Sequence, residues 1–365
     1  MIKMYKKLLI LSMGLSLICH AALSQQELCL ITPHKFTDPA SKPLYEIPTN
    51  SRYIVSRSEP GTPDIVYYMS MPEANQFPIA ILCTGSSSRN DVESVIYFHR
   101  YFLQELMDLR VGVVTLEQWG VDGMNVDVKS FMEHYTRSAR LQDHITLIDH
   151  LRTNPPCGWD GTLIFIGCSE GGPLVTALTI EYANITRATI NWSGAGDWNW
   201  RDELWAFVQN MRESAPWWFR LWDLVPRWMP FALPYPHDRG EYDAIMDATI
   251  QDPCTDKEFL GMTYLYHADA LQWCTIAYDK IKTPYLVVAG AQDSFVESCD
   301  AFVSKAQDAG ADITYMRIPD MDHYIRDRPD IVAHSFEWLE RQLKEVSDLD
   351  SAARFAAKRA HSYAP

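Results

Sequence analysis

Thr162-Leu163-Ile164-Phe165-Ile166-Gly167-Cys168-Ser169-Glu170-Gly171-Gly172-Pro173-Leu174-Val175-Thr176-Ala177-Leu178 is the stretch that decides the fold. Its first five residues form an apolar, β-branched run of strand length, and its last six have a helical composition. Between them, Gly167-Cys168-Ser169-Glu170-Gly171 sets a serine between glycines. That fits a sharp strand-to-helix turn, where crowding leaves little room for side chains on either side of a nucleophile. The helix behind such a turn offers unpaired N–H groups and a partial positive charge where an oxyanion would form. Three fixed positions are weak evidence alone, and a glycine-lined turn around an ordinary serine is the competing reading. The junction of strand and helix makes the match specific.

Working outward, apolar runs at residues 78–83, 111–116 and 285–290 and candidate strands at 187–192 and 313–318 alternate with helical spacing at 91–109, 131–151, 296–310 and 331–346. Residues 65–69 add an edge strand, preceded by a polar, proline-punctuated arm. Strands apolar on both faces, separated by helices, predict a mostly parallel sheet covered on both sides, since parallel strands require crossovers.

A serine hydroxyl needs a base, and the base needs a group that fixes its tautomer. Asp293, in Gly290-Ala291-Gln292-Asp293, follows one late strand, and His323, in Met321-Asp322-His323-Tyr324, follows the last. Ser169, Asp293 and His323 therefore occur in the chain order that this topology demands. Asp197, behind the strand at 187–192, is the alternative acid. Asp322 adjoins the histidine and is expected to shape its loop; His267 and His334 read as packing or surface residues. The oxyanion needs two donors: the N–H of Glu170, and one from Thr84-Gly85-Ser86-Ser87-Ser88, where the N–H of Ser86 is expected with Gly85 permitting close approach. The role of the Glu170 side chain stays open at this stage.

Residues 198–280 break the alternation. They hold Trp198, Trp200, Trp205, Trp217, Trp218, Trp222, Trp228 and Trp273, with prolines in the middle. This composition predicts a mostly helical cap. Its tryptophans, Trp198, Trp217, Trp218 and Trp222 in particular, serve either as a substrate pocket or as the cap's own core. Adjacent Trp217 and Trp218 cannot face one way on a helix, which leaves one for a pocket or a peripheral membrane contact.

With these residues in place, the chain over residues 60–345 resembles the α/β-hydrolase superfamily, and Gly167-Cys168-Ser169-Glu170-Gly171-Gly172 is similar to its esterase, dienelactone-hydrolase and oligopeptidase-related branches. The resemblance implies Ser169 as nucleophile, Asp293 as acid, His323 as base, Gly85-Ser86 as oxyanion loop and a lid where residues 198–280 stand. Thr84-Gly85 departs from the histidine-glycine pair frequent in esterases and lipases, which blurs the branch. The expected substrate is a carboxyl ester or thioester with a hydrophobic part. Short-peptide hydrolysis is the alternative from the same chemistry, and a non-catalytic binding protein on this scaffold is the third reading.

Residues 1–24 have the pattern of a secretory leader: Lys3, Lys6 and Lys7, an apolar run from Leu8 to Ile18, then Ala22-Leu23-Ser24. Cleavage near Ser24 and a secreted or periplasmic location are expected. The run is short of the roughly 20 residues of a membrane span, and Ile18 before Cys19 is too large for lipoprotein processing. The expected organisation is 1–24 leader, 25–197 first part of the sheet domain, 198–280 cap, 281–348 second part and 349–365 tail. With 47% hydrophobic and 22% charged residues the chain can bury a large core. A formal charge of −15, with no strong basic block, argues against nucleic acid as a partner. No Cys/His spacing suggests a zinc site, and neither cofactor nor obligate protein partner is implied. Export permits disulfides. Seven cysteines outside the leader leave one thiol over, and Cys254–Cys274 is the pair expected to bridge.

Overall fold

The computed structural model describes residues 51–59, 61–194, 196–214, 236–273 and 276–344. The leader, Trp217, Trp218, Trp222, Cys274 and the tail at 349–365 lie outside the described residues.

Eight strands form one sheet: β1 (Arg52–Val55), β2 (Ile65–Ser70), β3 (Phe77–Cys83), β4 (Gly112–Leu116), β5 (Trp159–Cys168), β6 (Thr186–Trp192), β7 (Tyr285–Gly290) and β8 (Ile313–Ile318). Their spatial order is β1-β2-β4-β3-β5-β6-β7-β8. β2 runs antiparallel to both β1 and β4, and every later pairing is parallel. This is an α/β-hydrolase fold with additional helices inserted between β6 and β7.

The sheet is buried on both faces because its strands alternate two apolar sets. Ile79, Ile81, Leu163 and Phe165 pack toward α3 (Arg137–Thr153) and α4 (Gly171–Glu181), meeting Leu147, Leu151, Leu174 and Leu178. Ala80, Leu82, Ile164 and Ile166 pack the other way, against Phe98, Phe102 and Leu106 of α1 (Ile96–Asp108) and Val332, Phe336 and Leu339 of a C-terminal helix over residues 329–344. This is the period-2 logic of a strand. Phe102 also stacks on Trp192, with ring centres 4.9 Å apart. The helix α8 (Val296–Asp308) closes the far end of the sheet through Cys299, Phe302 and Val303.

One expected helix is two. In place of a single helix over 131–151, α2 (Val128–His134) ends at Tyr135, and α3 begins after Thr136, whose hydroxyl accepts from the Ala139 N–H. Such a side-chain cap supplies one of the acceptors that a new helix lacks at its start. A short hairpin of Val121–Asp122 and Asn125–Val126, absent from the sequence reading, precedes α2.

The insert holds α5 (Trp200–Ser214), α6 (Arg239–Gln251), a two-residue ribbon (Glu258–Phe259 with Met262–Thr263) and α7 (Tyr264–Ala270). Its core of Trp200, Leu204, Val208, Tyr242, Met246 and Tyr266 includes Phe131, Met132 and Tyr135. The α2 segment therefore packs with the insert, although the sequence reading grouped it with the sheet. Among the described residues no helix is long and apolar enough to cross a membrane.

The segment after β1 is tied to α3 by Arg57, which donates from Nε and Nη2 to the Asp143 carboxylate at 2.8 and 2.7 Å, with both side chains under 10% exposed. Arg57→Ala would leave Asp143 buried without its partner. A loss of about 3–5 kcal/mol in unfolding free energy is expected from urea titration.

Candidate active site

β5 delivers Ser169 to the carboxyl edge of the sheet, and α4 starts two residues later. Ser169 has φ of 53°, in the left-handed region that a residue with a β-carbon resists. Its N–H donates to the Trp192 carbonyl at 2.8 Å and its carbonyl accepts from the Gly172 N–H at 2.8 Å, so both sides of the turn are pinned. A β-carbon at Gly171 would run into the Cys83 carbonyl at the end of β3. This close approach is what makes glycine necessary after the serine.

The loop after β7 presents Asp293 and the loop after β8 presents His323. The two are joined by backbone hydrogen bonds from Ala291 N–H to the Ile318 carbonyl (2.8 Å) and from Gln292 N–H to the Met321 carbonyl (3.0 Å). The Asp293 side chain is fully buried; Oδ1 accepts from the Phe295 N–H at 3.0 Å and Oδ2 lies 2.8 Å from His323 Nδ1. His323 Nε2 stands 2.9 Å from Ser169 Oγ. A proton on Nδ1, held by the carboxylate, leaves Nε2 as the acceptor for the serine hydroxyl. Burial works against a charged His323, but the Asp293 charge and hydrogen bond outweigh it, so its pKa lies above the ordinary value.

The alternative acid is turned elsewhere. Asp197 pairs with Lys305 Nζ at 2.8 Å and accepts from the Tyr278 hydroxyl. Asp322 accepts from the Tyr324 N–H and shapes the loop. His267 is a packing residue: it accepts from Trp200 Nε1 at 3.0 Å, its Nε2 faces the Phe259 carbonyl at 2.9 Å, and burial pushes its pKa down to about 4.

Gly85 lies against Ser169, where a β-carbon would stand 3.2 Å from Ser169 Cβ. Ser86 and Glu170 line the same cavity, and neither N–H is given a protein acceptor among the described residues. The loop carrying Gly85 and Ser86 is held on both sides. Arg140 Nη2 donates to the Thr84 carbonyl at 2.6 Å, and the Tyr135 hydroxyl accepts from the Ser87 N–H at 3.0 Å.

That support converges on Glu170, whose side chain the sequence left without a role. Its buried carboxylate accepts from Arg137 Nε (2.8 Å), Arg140 Nη1 (3.0 Å), and the hydroxyls of Tyr135 (3.2 Å) and Tyr266. Burial alone would raise its pKa; the two guanidinium charges overcome that and hold it below the usual carboxylate range. One carboxylate thus joins the turn at Ser169, the Thr84–Ser87 loop, the α2–α3 corner and α7 of the insert. Sequence reasoning missed Arg137, Arg140, Tyr135 and Tyr266. The available signal was the placing of Arg137 and Arg140 on the face of α3 that continues into buried His144, Leu147 and Leu151.

A cavity of about 290 Å³ opens on Ser169 and His323. Phe98, Phe102, Leu204, Phe207, Met262 and Phe295 make it largely apolar; Arg137 and Glu203 are charged groups in its wall. Trp198 does not line it. The chain turns there so that the Trp198 N–H donates to Ser298 Oγ at 3.0 Å, and Trp200, the first residue of α5, faces the cavity in its place. Of the two cysteines expected to bridge, Cys274 lies outside the described residues, and Cys254, in the loop after α6, carries a free thiol. Cys83 and Cys168 are likewise free, and burial pushes both thiols up to about 12, as suits small apolar core residues.

Against known proteins, the sequence profile of a family described as serine aminopeptidase, S33, matches residues 94–328. No curated protein matches the sequence. Several solved structures share the fold. Est1E from Butyrivibrio proteoclasticus is 16% identical, covering 80% of this chain and 99% of its own, with a TM-score of 0.50. A fungal esterase from Rhizomucor miehei is 17% identical, covering 89% and 90%, with a TM-score of 0.53. A lipase in its open form is 14% identical, covering 78% and 94%, also at 0.53.

Glu170→Gln would leave two buried guanidinium groups facing a neutral amide. Denaturant unfolding should show a loss of about 3 kcal/mol or more. Tyr135→Phe removes a hydroxyl that donates to the Glu170 carboxylate and accepts from the Ser87 N–H, and should cost about 2–3 kcal/mol.

Proposed function

The chain belongs to the serine aminopeptidase S33 family of serine hydrolases, and from that premise we propose that it cleaves a carboxyl ester with a hydrophobic part through an acyl-serine intermediate. The observation that carries this is the continuous run from the buried Asp293 carboxylate through His323 to Ser169 Oγ, 2.8 and 2.9 Å, on a turn with positive φ.

In the proposed reaction Ser169 Oγ attacks the carbonyl carbon as His323 Nε2 takes its proton. The N–H groups of Glu170 and Ser86 receive the oxyanion, and His323 returns the proton to the departing alcohol. Water then attacks the acyl-serine with the same histidine as base, releasing the acid and restoring Ser169. Asp293 keeps Nδ1 protonated throughout and stabilises the imidazolium. The apolar wall of Phe98, Phe207 and Phe295 favours a hydrophobic substrate part, and the esterase and lipase names of the structures sharing the fold point the same way. A thioester would react by the same steps. The family description supports short-peptide hydrolysis as the second reading. Export through the 1–24 leader belongs to the proposal as well, and a secreted or periplasmic product beginning at Gln25 is expected from N-terminal sequencing.

A fluorophosphonate probe should label the wild type and leave Ser169→Ala unlabelled; labelling that persists would remove Ser169 from its role. Esters should be turned over faster than aminoacyl amides of matched size, and the reverse would favour the peptidase reading. Because activity requires neutral His323 and its pKa is raised, the acidic limb of kcat/KM should lie above pH 6.5, the ordinary value. Asp293→Asn takes away the charge responsible, so the limb should move to lower pH while kcat falls by about 10⁴.

A further inference from the structure

Arg137 has more hydrogen-bonding capacity than the Glu170 cluster uses. Its Nε donates to Glu170, and neither Nη group has an acceptor among the described residues. The residue is only 4% exposed, yet it stands in the cavity wall with Ser169. Trp200 covers one face of the guanidinium, whose central carbon is 4.4 Å from the ring centre. A buried cation whose donors lack protein acceptors draws them from water or ligand, and a ligand that displaces the water must bring acceptors of its own.

Apart from Glu170, the charged groups of the wall, Asp91, Glu93, Glu203 and Arg326, make no hydrogen bond or ion pair with Arg137 among the described residues. Arg137 and Arg140 share one carboxylate, Glu170. The neighbouring Glu203 accepts from Ser298 Oγ at 2.8 Å, and burial, opposed by the Arg137 charge, pushes its pKa up to about 7. Asp91, elsewhere in the wall, is also pushed up by burial, to about 6, and is held by the Ser88 N–H. Neither acid is hydrogen-bonded or ion-paired to Arg137, whose one such partner among the described residues is Glu170.

We propose that Arg137 is an anion-binding subsite of the cavity, and that the substrate is an ester carrying a carboxylate at one end of a hydrophobic body. The two Nη groups suit the paired oxygens of a carboxylate. A phosphate, with nearly twice the charge, would bury an excess that one guanidinium does not balance. Phe98, Leu204, Phe207 and Phe295 take the hydrophobic body. The proposal rests on the ester-hydrolase reading above, and Arg137 is a specificity-determining residue in it.

The test compares kcat/KM for matched pairs with the charge on either side of the scissile bond. One pair is 4-nitrophenyl hydrogen glutarate and 4-nitrophenyl valerate; the other is 4-(carboxymethyl)phenyl valerate and 4-(carbamoylmethyl)phenyl valerate. In at least one pair the wild type should favour the carboxylate by about tenfold or more. Arg137→Lys, which keeps the charge and loses the fork, should reduce that ratio by about tenfold, and Arg137→Met should abolish it. A wild-type ratio at or below one in both pairs, or a ratio unchanged by Arg137→Lys, would overturn the subsite. Calorimetric binding of hexanoate and hexanamide to Ser169→Ala separates this from the hydrolase reading and does not depend on Arg137→Met folding. Hexanoate binding about tenfold tighter, with the advantage lost in Ser169→Ala/Arg137→Lys, supports the subsite even if no ester is cleaved. Equal affinities overturn it even if esters are cleaved.

Discussion

The backbone at Ser169 is bent into the left-handed region, at a cost of about 1–3 kcal/mol for a residue with a β-carbon. The strain persists because the surroundings over-determine it: hydrogen bonds to Trp192 and Gly172 hold both sides, and Gly171 presses on the Cys83 carbonyl. Without that bend the Ser169 side chain would project onto one face of the sheet, as strand side chains do, and would not meet His323 at the carboxyl edge. The sheet supplies the rest. Parallel strands place the loops after β5, β7 and β8 on one edge, and backbone hydrogen bonds between the Asp293 and His323 loops set their spacing.

The Glu170 cluster extends this local constraint across the molecule. A buried carboxylate with two arginines adds little to stability compared with an apolar replacement of the same shape, since desolvation consumes most of the Coulomb gain. Its contribution is geometric. Arg140 reaches both Glu170 and the Thr84 carbonyl, and Tyr135 reaches both Glu170 and the Ser87 N–H. The turn and the loop facing it therefore share anchors, and Tyr266 brings the insert to the same point. Because α2 also contributes to the core of the insert, the cap is fixed to the sheet by packing as well as by charge.

Much of this was legible in the chain. The strand at 285–290 stands where its apolar run puts it, because two-sided burial writes continuous hydrophobic sequence, whereas the edge strand at 313–318 is half-buried and carries Thr314 and Arg317 among its apolar residues. Ser169, Asp293 and His323 were visible because topology dictates their order, and Asp197 could be set aside only once Lys305 and Tyr278 were seen around it. Other features left weaker traces. The Tyr135–Thr136 break hid inside a hydrophobic spacing that runs on past it, although Thr136 is a good cap. The partners of Glu170 come from residues 135, 137, 140 and 266, and no local pattern links them. Trp200 rather than Trp198 faces the cavity because of where α5 begins, and composition carries no phase.

The cavity combines an apolar wall with the guanidinium groups of Arg137 and Arg326, and Ser169 and His323 open onto the same space. The proposed chemistry depends on Ser169 Oγ losing its proton to His323. Rapid-quench reaction with a slowly deacylated ester, followed by peptide mapping and mass spectrometry, tests that dependence most directly. The acyl mass is expected on the peptide containing Ser169 in the wild type and not in His323→Ala. An acyl adduct on another residue, or acylation of Ser169 at an undiminished rate without His323, would contradict the account.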